Sequence, residues 1–353
     1  MLAVLKESPK NESLSVRDVP KPELKSGCVI AKVDACGICG TDVHIFKFEG
    51  DYPQRLGSRL PMVMGHEFTG VITEIDGETD DLKVGTKIVA SPGVACGHCY
   101  YCRTGAKEIC QNRLCTGIET EGAMAEFVMI QKENCYAIPQ DFPTDVAAAI
   151  EPMSIAYNAL DKAGSLLAKD VVVIGPGTIG YFACLFAYLA GAANISITGL
   201  PQDEERLRIF KSQIPNINTY TDGGASFRSL DKMGADVIFE VSGSSGGLNS
   251  AMALAKKRAV IVEIGIPSAK LNVDLLKVVR NELVLRGTHA MSARLWMQLV
   301  NLLVSLPEEM LDKFKAAITH VFPITEAEKA FDVAKKFEGL KVLILPQEQY
   351  AME

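Results

Sequence analysis

The run Cys36-Gly37-Ile38-Cys39-Gly40-Thr41-Asp42-Val43-His44 crowds two thiols, a hydroxyl and an imidazole among small residues that leave room for a metal ion. Gly65-His66-Glu67 adds a second imidazole and a carboxylate. Thiolate, imidazole and carboxylate are the usual ligands of zinc, and a catalytic zinc keeps about three of them plus a place for the substrate oxygen. Cys39, His66, Glu67 and, much later, Glu151 in Ala149-Ile150-Glu151-Pro152 are the candidates. Taken singly they have plainer explanations: a buried thiol, a core histidine, a surface acid, and an acid at a helix start beside proline. Spacing alone does not join Glu151 to the rest.

Cys96, Cys99, Cys102 and Cys110 follow C-x2-C-x2-C-x7-C in a loop punctuated by Gly93, Gly97 and Gly105. Four soft ligands so close together can close a tetrahedral zinc shell with no open position, the mark of a structural site. An iron–sulfur cluster is the competing reading. A nucleic-acid finger is disfavoured by the weakly charged surroundings. His98 lies within the cluster as a rival ligand or an ordinary loop residue.

Gly175-Pro176-Gly177-Thr178-Ile179-Gly180 follows the β-branched run Val171-Val172-Val173-Ile174. A G-x-G-x-x-G turn between strand and helix gives a tight bend, close backbone approach to a pyrophosphate and a helix N-terminus facing the phosphates. An NAD site would also supply an acid at the end of the second strand. Here Thr198-Gly199-Leu200 puts glycine there, and Asp203-Glu204-Glu205 comes only later, just before Arg206. Gly199 has room for a 2′-phosphate, but Leu200 and Pro201 offer it no cation and the acidic run repels it. The reading is NAD, with NADP left open and Arg206 as a ribose or adenine contact.

The elements that must position these groups are legible in outline. A chain of 353 residues calls for two domains, and 48% apolar content excludes general disorder. A net charge of −7 without a basic block argues against nucleic acid and anionic membranes and for a small-molecule substrate. The first residues carry no secretory pattern, so a cytoplasmic location is expected, with the ten cysteines as thiols or metal ligands. Residues before about 155 read as short strands and turns. From Ala156 onward helices alternate with strands at 171–174, 195–198, 237–239, 260–262 and 283–287, which predicts a parallel, doubly wound sheet. The uncharged stretch Val171 to Leu200 is long enough to span a bilayer, but a covered parallel sheet has the same hydropathy. Beyond it, 293–306 and 326–337 read as helices and 341–345 as a strand returning to the first domain. The expected bounds are 1–155 with 295–353 for the metal-binding domain and 156–294 for the dinucleotide domain.

Together and in this order, the Cys36–His44 run, Gly65-His66-Glu67-Phe68-Thr69-Gly70, the four-cysteine loop, Glu151-Pro152 and the glycine turn resemble the zinc-dependent medium-chain dehydrogenase/reductase family. Glu151, where alcohol-specific members carry cysteine, resembles the polyol (sorbitol-like) and threonine 3-dehydrogenase branch, while Thr41–Ile45 and Ile318–Phe322 are similar to threonine 3-dehydrogenases in particular. The resemblance implies a GroES-like β-rich catalytic domain joined to a Rossmann domain, one catalytic and one structural zinc, and a homo-oligomer, dimer or tetramer. It implies Cys39 and His66 as permanent ligands, Glu67 and Glu151 as completing or exchanging ligands, and Cys36 as a bystander. Thr41 then hydrogen-bonds the reacting oxygen and His44 passes the proton onward. Ile179, Gly199, Arg206, Ile264, Gly265, Ile266, Thr288 and His289 line the cofactor beside Gly175, Gly177 and Gly180. Lys47, Arg55 and Arg59 stand as loop cations for a substrate carboxylate or phosphate, or as solvated residues. The expected reaction is hydride transfer between a secondary alcohol of polyol or sugar type and NAD. L-threonine is the alternative substrate, and a non-catalytic zinc- and dinucleotide-binding protein the alternative of another class.

Overall fold

The computed structural model of the protein describes residues 1–229, 231–267 and 270–347. It divides into two compact units. The first comprises Met1–Pro152, Met291–Pro307 and the chain from Ile318 onward; the second comprises Met153–Ala290 and Glu308–Ala317.

In the first unit, strand Cys28–Gly37 pairs antiparallel with Glu67–Ile75 and with Phe127–Gln131. Its buried Val29, Ala31 and Val33 pack with Phe68, Ile72 and Ile88 in one core. Alternation of inward and outward side chains makes this register costly to shift, because a slip of one residue would turn the apolar set outward. The register sets Gly37 opposite Glu67 and Cys36 opposite Phe68. On the other side, Lys341–Leu345 joins the sheet antiparallel to Cys28–Gly37 and parallel to Ile318–Pro323. The return of 341–345 to the first domain is therefore observed.

Among the described residues the second unit holds six parallel strands. Numbered in chain order from Asp170–Ile174, their spatial order is 3-2-1-4-5-6, that of a doubly wound dinucleotide-binding sheet. Asp170–Ile174 is buried along its whole length, and Phe182 and Phe186 of helix Thr178–Leu189 are fully buried. This accounts for the hydropathy of residues 171–200. Among the described residues no helix is long and apolar enough to cross a membrane.

Three expectations need revision. The helix expected from Ala156 begins at Ile150; Pro152 falls in its first turn, where a missing N–H breaks no intrahelical bond. The region before 155 is more helical than its turn-rich composition predicts, with helices Gly40–Lys47, Tyr52–Leu56 and Thr144–Ala148. Residues 308–317, expected in the first domain, belong to the second unit. There Phe314 packs on Phe182 and Phe186, and the Tyr181 hydroxyl donates to the Lys313 carbonyl at 2.7 Å. Burying one such phenyl ring contributes about 1.5–3 kcal/mol, enough to fix the side on which a short helix docks.

Candidate active site

Cys39 caps helix Gly40–Lys47 two residues beyond Gly37, and His66 lies one residue before Glu67. The strand register thus brings the two motifs face to face. The ligand atoms of Cys39, His66 and Glu67 all lie within 4.8 Å of one another, and His66 and Glu67 are buried. Gly37 is needed here, since a side chain at that position would collide with the Glu67 carboxylate.

Asp42 supports the cluster from below. Fully buried, it accepts the Cys39 N–H through Oδ2 at 2.9 Å and holds Oδ1 3.8 Å from His66 Nδ1. A carboxylate on that side of the ring orients a ligating histidine and raises its basicity. Burial alone would lower the His66 pKa, but the Asp42 charge and Cys39 raise it well above the usual imidazole range. Among the described residues neither Asp42 Oδ1 nor His66 Nδ1 has a hydrogen-bond partner.

Glu67 is tied to Lys341, whose ammonium lies 2.5 Å from Oε2 and also donates to the Ile38 carbonyl at 2.9 Å. Both side chains are almost completely buried. Glu151, in the first turn of helix Ile150–Ala163, senses the same charges. Burial, with Glu67 adding to it and His66, Lys341 and Arg113 opposing, lifts its carboxyl to about 7. Its oxygens are not part of the tight Cys39–His66–Glu67 group. Cys36 stays a thiol, because burial and then Asp42 and Glu67 push its pKa well above the ordinary value.

Thr41 and His44 share the helix with Cys39. The Tyr52 hydroxyl donates to Thr41 Oγ1 at 3.4 Å, and the Tyr52 ring stacks on His44 at 6.4 Å between centroids and 11° between planes. His44 is half exposed and donates from Nδ1 to Glu49 Oε1 at 2.8 Å. Arg55 binds the Glu119 carboxylate at 2.6 Å, and Arg59 donates to the Glu119 carbonyl.

In the four-cysteine loop the sulfur–sulfur separations are 3.6 Å for Cys99–Cys102, 3.8 Å for Cys99–Cys110 and 4.0 Å for Cys96–Cys102. Zinc–sulfur bonds of ~2.3 Å in a tetrahedron set edges of about 3.8 Å, so the thiols already fit the ion. His98 is exposed and donates from Nδ1 to the Cys96 carbonyl at 2.8 Å, which engages it outside the thiol group.

In the second unit, Gly175 has φ +110°, and Gly177 caps helix Thr178–Leu189. A Cβ at Gly180 would strike the Gly175 carbonyl, whereas one at Gly177 would meet open space. The turn therefore packs tightly on its inner side and presents bare backbone on its outer side, as a pyrophosphate cradle requires. Ile264 is buried and Ile266 is exposed. The Thr288 hydroxyl accepts from Asn158 Nδ2 at 2.7 Å, and the Thr288 N–H donates to the Glu263 carbonyl at 3.1 Å.

The alcohol dehydrogenase GroES-like domain family matches residues 25–140, and the zinc-binding dehydrogenase family matches residues 178–305. The chain is 34% identical to an L-threonine 3-dehydrogenase of Cutibacterium acnes, with 98% of each chain covered. It is 28% identical to a D-arabitol-phosphate dehydrogenase of Enterococcus avium, covering 98% of this chain and 97% of that one. Among solved structures, galactitol-1-phosphate dehydrogenase from Escherichia coli superposes with a TM-score of 0.84 at 25% identity, covering 98% of this chain and all of that one. The chain belongs to the zinc-dependent medium-chain dehydrogenase family.

This dehydrogenase carries groups at its site that the linear sequence does not advertise. Lys341 opens an otherwise apolar strand, Lys341-Val342-Leu343-Ile344-Leu345, and a charge at the first position of a buried strand was its one signal. Asp42 sits three residues after a helix cap, where an acid satisfies the cap N–H, so its location had an ordinary explanation. Tyr52 reaches Thr41 only through the turn between two short helices. Asn158 comes to Thr288 across 130 positions.

Proposed function

We propose that this zinc-type alcohol dehydrogenase oxidises a secondary alcohol of polyol or sugar type with NAD, in an oligomer of identical chains. The observation that carries the proposal is the Cys39–His66–Glu67 group, with Thr41 and His44 on the helix that Cys39 caps. Cys39 and His66 would hold the catalytic zinc, with Glu67 and Glu151 completing or exchanging in its shell. Cys96, Cys99, Cys102 and Cys110 would hold the structural one. Bound zinc supplies Lewis acidity that brings an alcohol proton within reach of neutral pH.

The chain's own groups do the rest. Thr41 is a relay rather than a base: its hydroxyl accepts the alcohol proton as it passes its own on. His44, exposed and beside Glu49, delivers that proton to solvent. Lys341 pairs with Glu67 at 2.5 Å, so the buried carboxylate has a compensating positive charge beside it. Gly175, Gly177, Ile179 and Gly180 form the phosphate turn, and Gly199, Arg206, Ile264, Gly265, Ile266, Thr288 and His289 complete the dinucleotide site.

The substrate reading draws on the loop cations. Arg55 and Arg59 are both engaged by Glu119, which suits a neutral polyol better than a phosphate or amino-acid carboxylate. Oxidation of L-threonine is the second reading, favoured by the Cutibacterium relative. For assembly, strand Val284–Gly287 lies at the outer end of the parallel sheet and is exposed throughout, and Leu275, Leu276 and Val279 beside it are exposed apolar residues. The free thiols support a reducing, cytoplasmic setting.

Reduction of NAD and NADP by the zinc-loaded protein, measured across a panel of polyols, sugar alcohols, their phosphates and L-threonine, tests the proposal. Turnover of neutral polyols is expected. Turnover of L-threonine alone would establish the second reading, and no turnover with full zinc content would favour a binding protein.

A further inference from the structure

The adenosine end of the dinucleotide site departs from the usual arrangement, and the fold compensates. This inference rests on reading residues 175–180 as a dinucleotide turn. A Rossmann sheet that takes NAD ends its second strand with an acid whose carboxylate accepts the ribose hydroxyls. Strand Asn194–Thr198 ends instead at Gly199.

A side chain built from Gly199 would meet Asp203 Oδ2 at 2.9 Å and Pro176 Cγ at 2.7 Å. Asp203, four residues later, thus brings its carboxylate to the space that a residue at 199 would use, beside the proline of the phosphate turn. It gets there because Pro201–Asp203 forms one tight turn ahead of helix Glu204–Gln213. The Asp203 side chain is buried, its Oδ2 accepts the Leu200 N–H at 2.9 Å, and its Oδ1 pairs with Arg206 Nη2 at 2.5 Å. These donors fix the carboxylate before any ligand arrives. Each carboxylate oxygen has two acceptor sites, so acceptor capacity is left for a hydroxyl.

We propose that Asp203 is the ribose-reading acid of this dehydrogenase and sets its preference for NAD over NADP, with Arg206 committed to Asp203 rather than to a 2′-phosphate. A 2′-phosphate would bring a charge of about −1.5 to −2 against this carboxylate. The neighbouring acids add to the barrier: Glu204 and Glu205 project to solvent, where both pair with Arg208. Without Asp203, Arg206 loses the carboxylate that it pairs with at 2.5 Å.

The test is fluorescence titration of the zinc-loaded, full-length protein with NADH and NADPH, for wild type, Asp203→Asn, Asp203→Ala and Asp203→Ala/Arg206→Ala. Wild type should bind NADH at least about tenfold more tightly than NADPH, and both single variants should move that ratio at least about tenfold toward NADPH, the scale of one charge-assisted hydrogen bond. Adding Arg206→Ala should cancel the gain in NADPH affinity. Asp203→Asn keeps an acceptor for the Leu200 N–H, so it carries the test if the alanine variant folds poorly. A ratio unchanged in folded variants, or a wild type that prefers NADPH, would overturn the assignment of Asp203 alone. A wild type that binds neither cofactor would overturn the dinucleotide reading and the assignment with it.

Discussion

Replacing Lys341 with methionine should be among the most damaging single changes near the metal group. The substitution keeps most of the side-chain volume but removes the ammonium 2.5 Å from Glu67 and the donor to the Ile38 carbonyl. Glu67 is then a buried carboxylate without its cation. Breaking a buried pair from one side costs about 3–5 kcal/mol, and for a unit of this size each kcal/mol lowers the melting temperature by roughly 2–4 °C. Zinc-stripped Lys341→Met should therefore melt about 6–20 °C below zinc-stripped wild type in a circular dichroism scan. Three further signs distinguish this cause from simple loss of packing. The deficit should shrink as pH falls and the orphaned carboxylate takes up a proton. Adding Glu67→Gln should recover at least half of it, because the buried charge is gone. Zinc should restore more stability to Lys341→Met than to wild type, since the metal supplies the missing positive charge. A deficit under about 3 °C, or a double variant no more stable than the single one, would refute the reasoning.

His44→Ala should slow alcohol oxidation by about 10- to 100-fold and flatten its pH profile while zinc content is unchanged, as metal analysis beside kinetics will show. Cys39→Ser should lose activity together with one zinc per chain. Cys102→Ser should lower the melting temperature or disrupt assembly, whereas selective loss of turnover with normal folding would count against a structural site. Lys6 is buried and donates to the Lys10 and Phe46 carbonyls, and burial, partly opposed by Glu12, lowers its ammonium to about 8. The unfolded chain therefore binds the extra proton between about pH 8 and 10.5, and Lys6 makes stability rise with pH across that window. Denaturant unfolding of Lys6→Met against wild type from pH 7.5 to 10.5 should show that rise removed.

The parallel sheet was legible because its strands are short β-branched runs separated by helical lengths, a pattern that depends on local sequence. The candidate metal ligands were legible as types, since thiols and imidazoles beside glycines are sparse in a chain with five histidines. What joins them was not. Gly37 opposite Glu67 is a matter of strand register, decided by which face of Cys28–Gly37 the core accepts. Lys341 reaches Glu67 across 274 positions, and no local pattern encodes a distance of that kind. Asp203 was visible as an acid, but its carboxylate lies beside Gly199 only because the turn Pro201–Asp203 brings it back there. The short helices before residue 155 were missed because tertiary contacts, rather than a long amphipathic period, hold them.

The 274 positions between Glu67 and Lys341 also order events during synthesis. At roughly 5–20 residues per second, about 15–55 s separate the emergence of the carboxylate from that of its cation. All six strands of the dinucleotide sheet, ending at Gly287, have been translated by then. The unit that starts the chain is thus the later of the two to complete its sheet. Glu67 must wait on the ribosome either solvated or held by whatever cation is at hand, and zinc that binds before Lys341 arrives would meet a carboxylate with no competing partner.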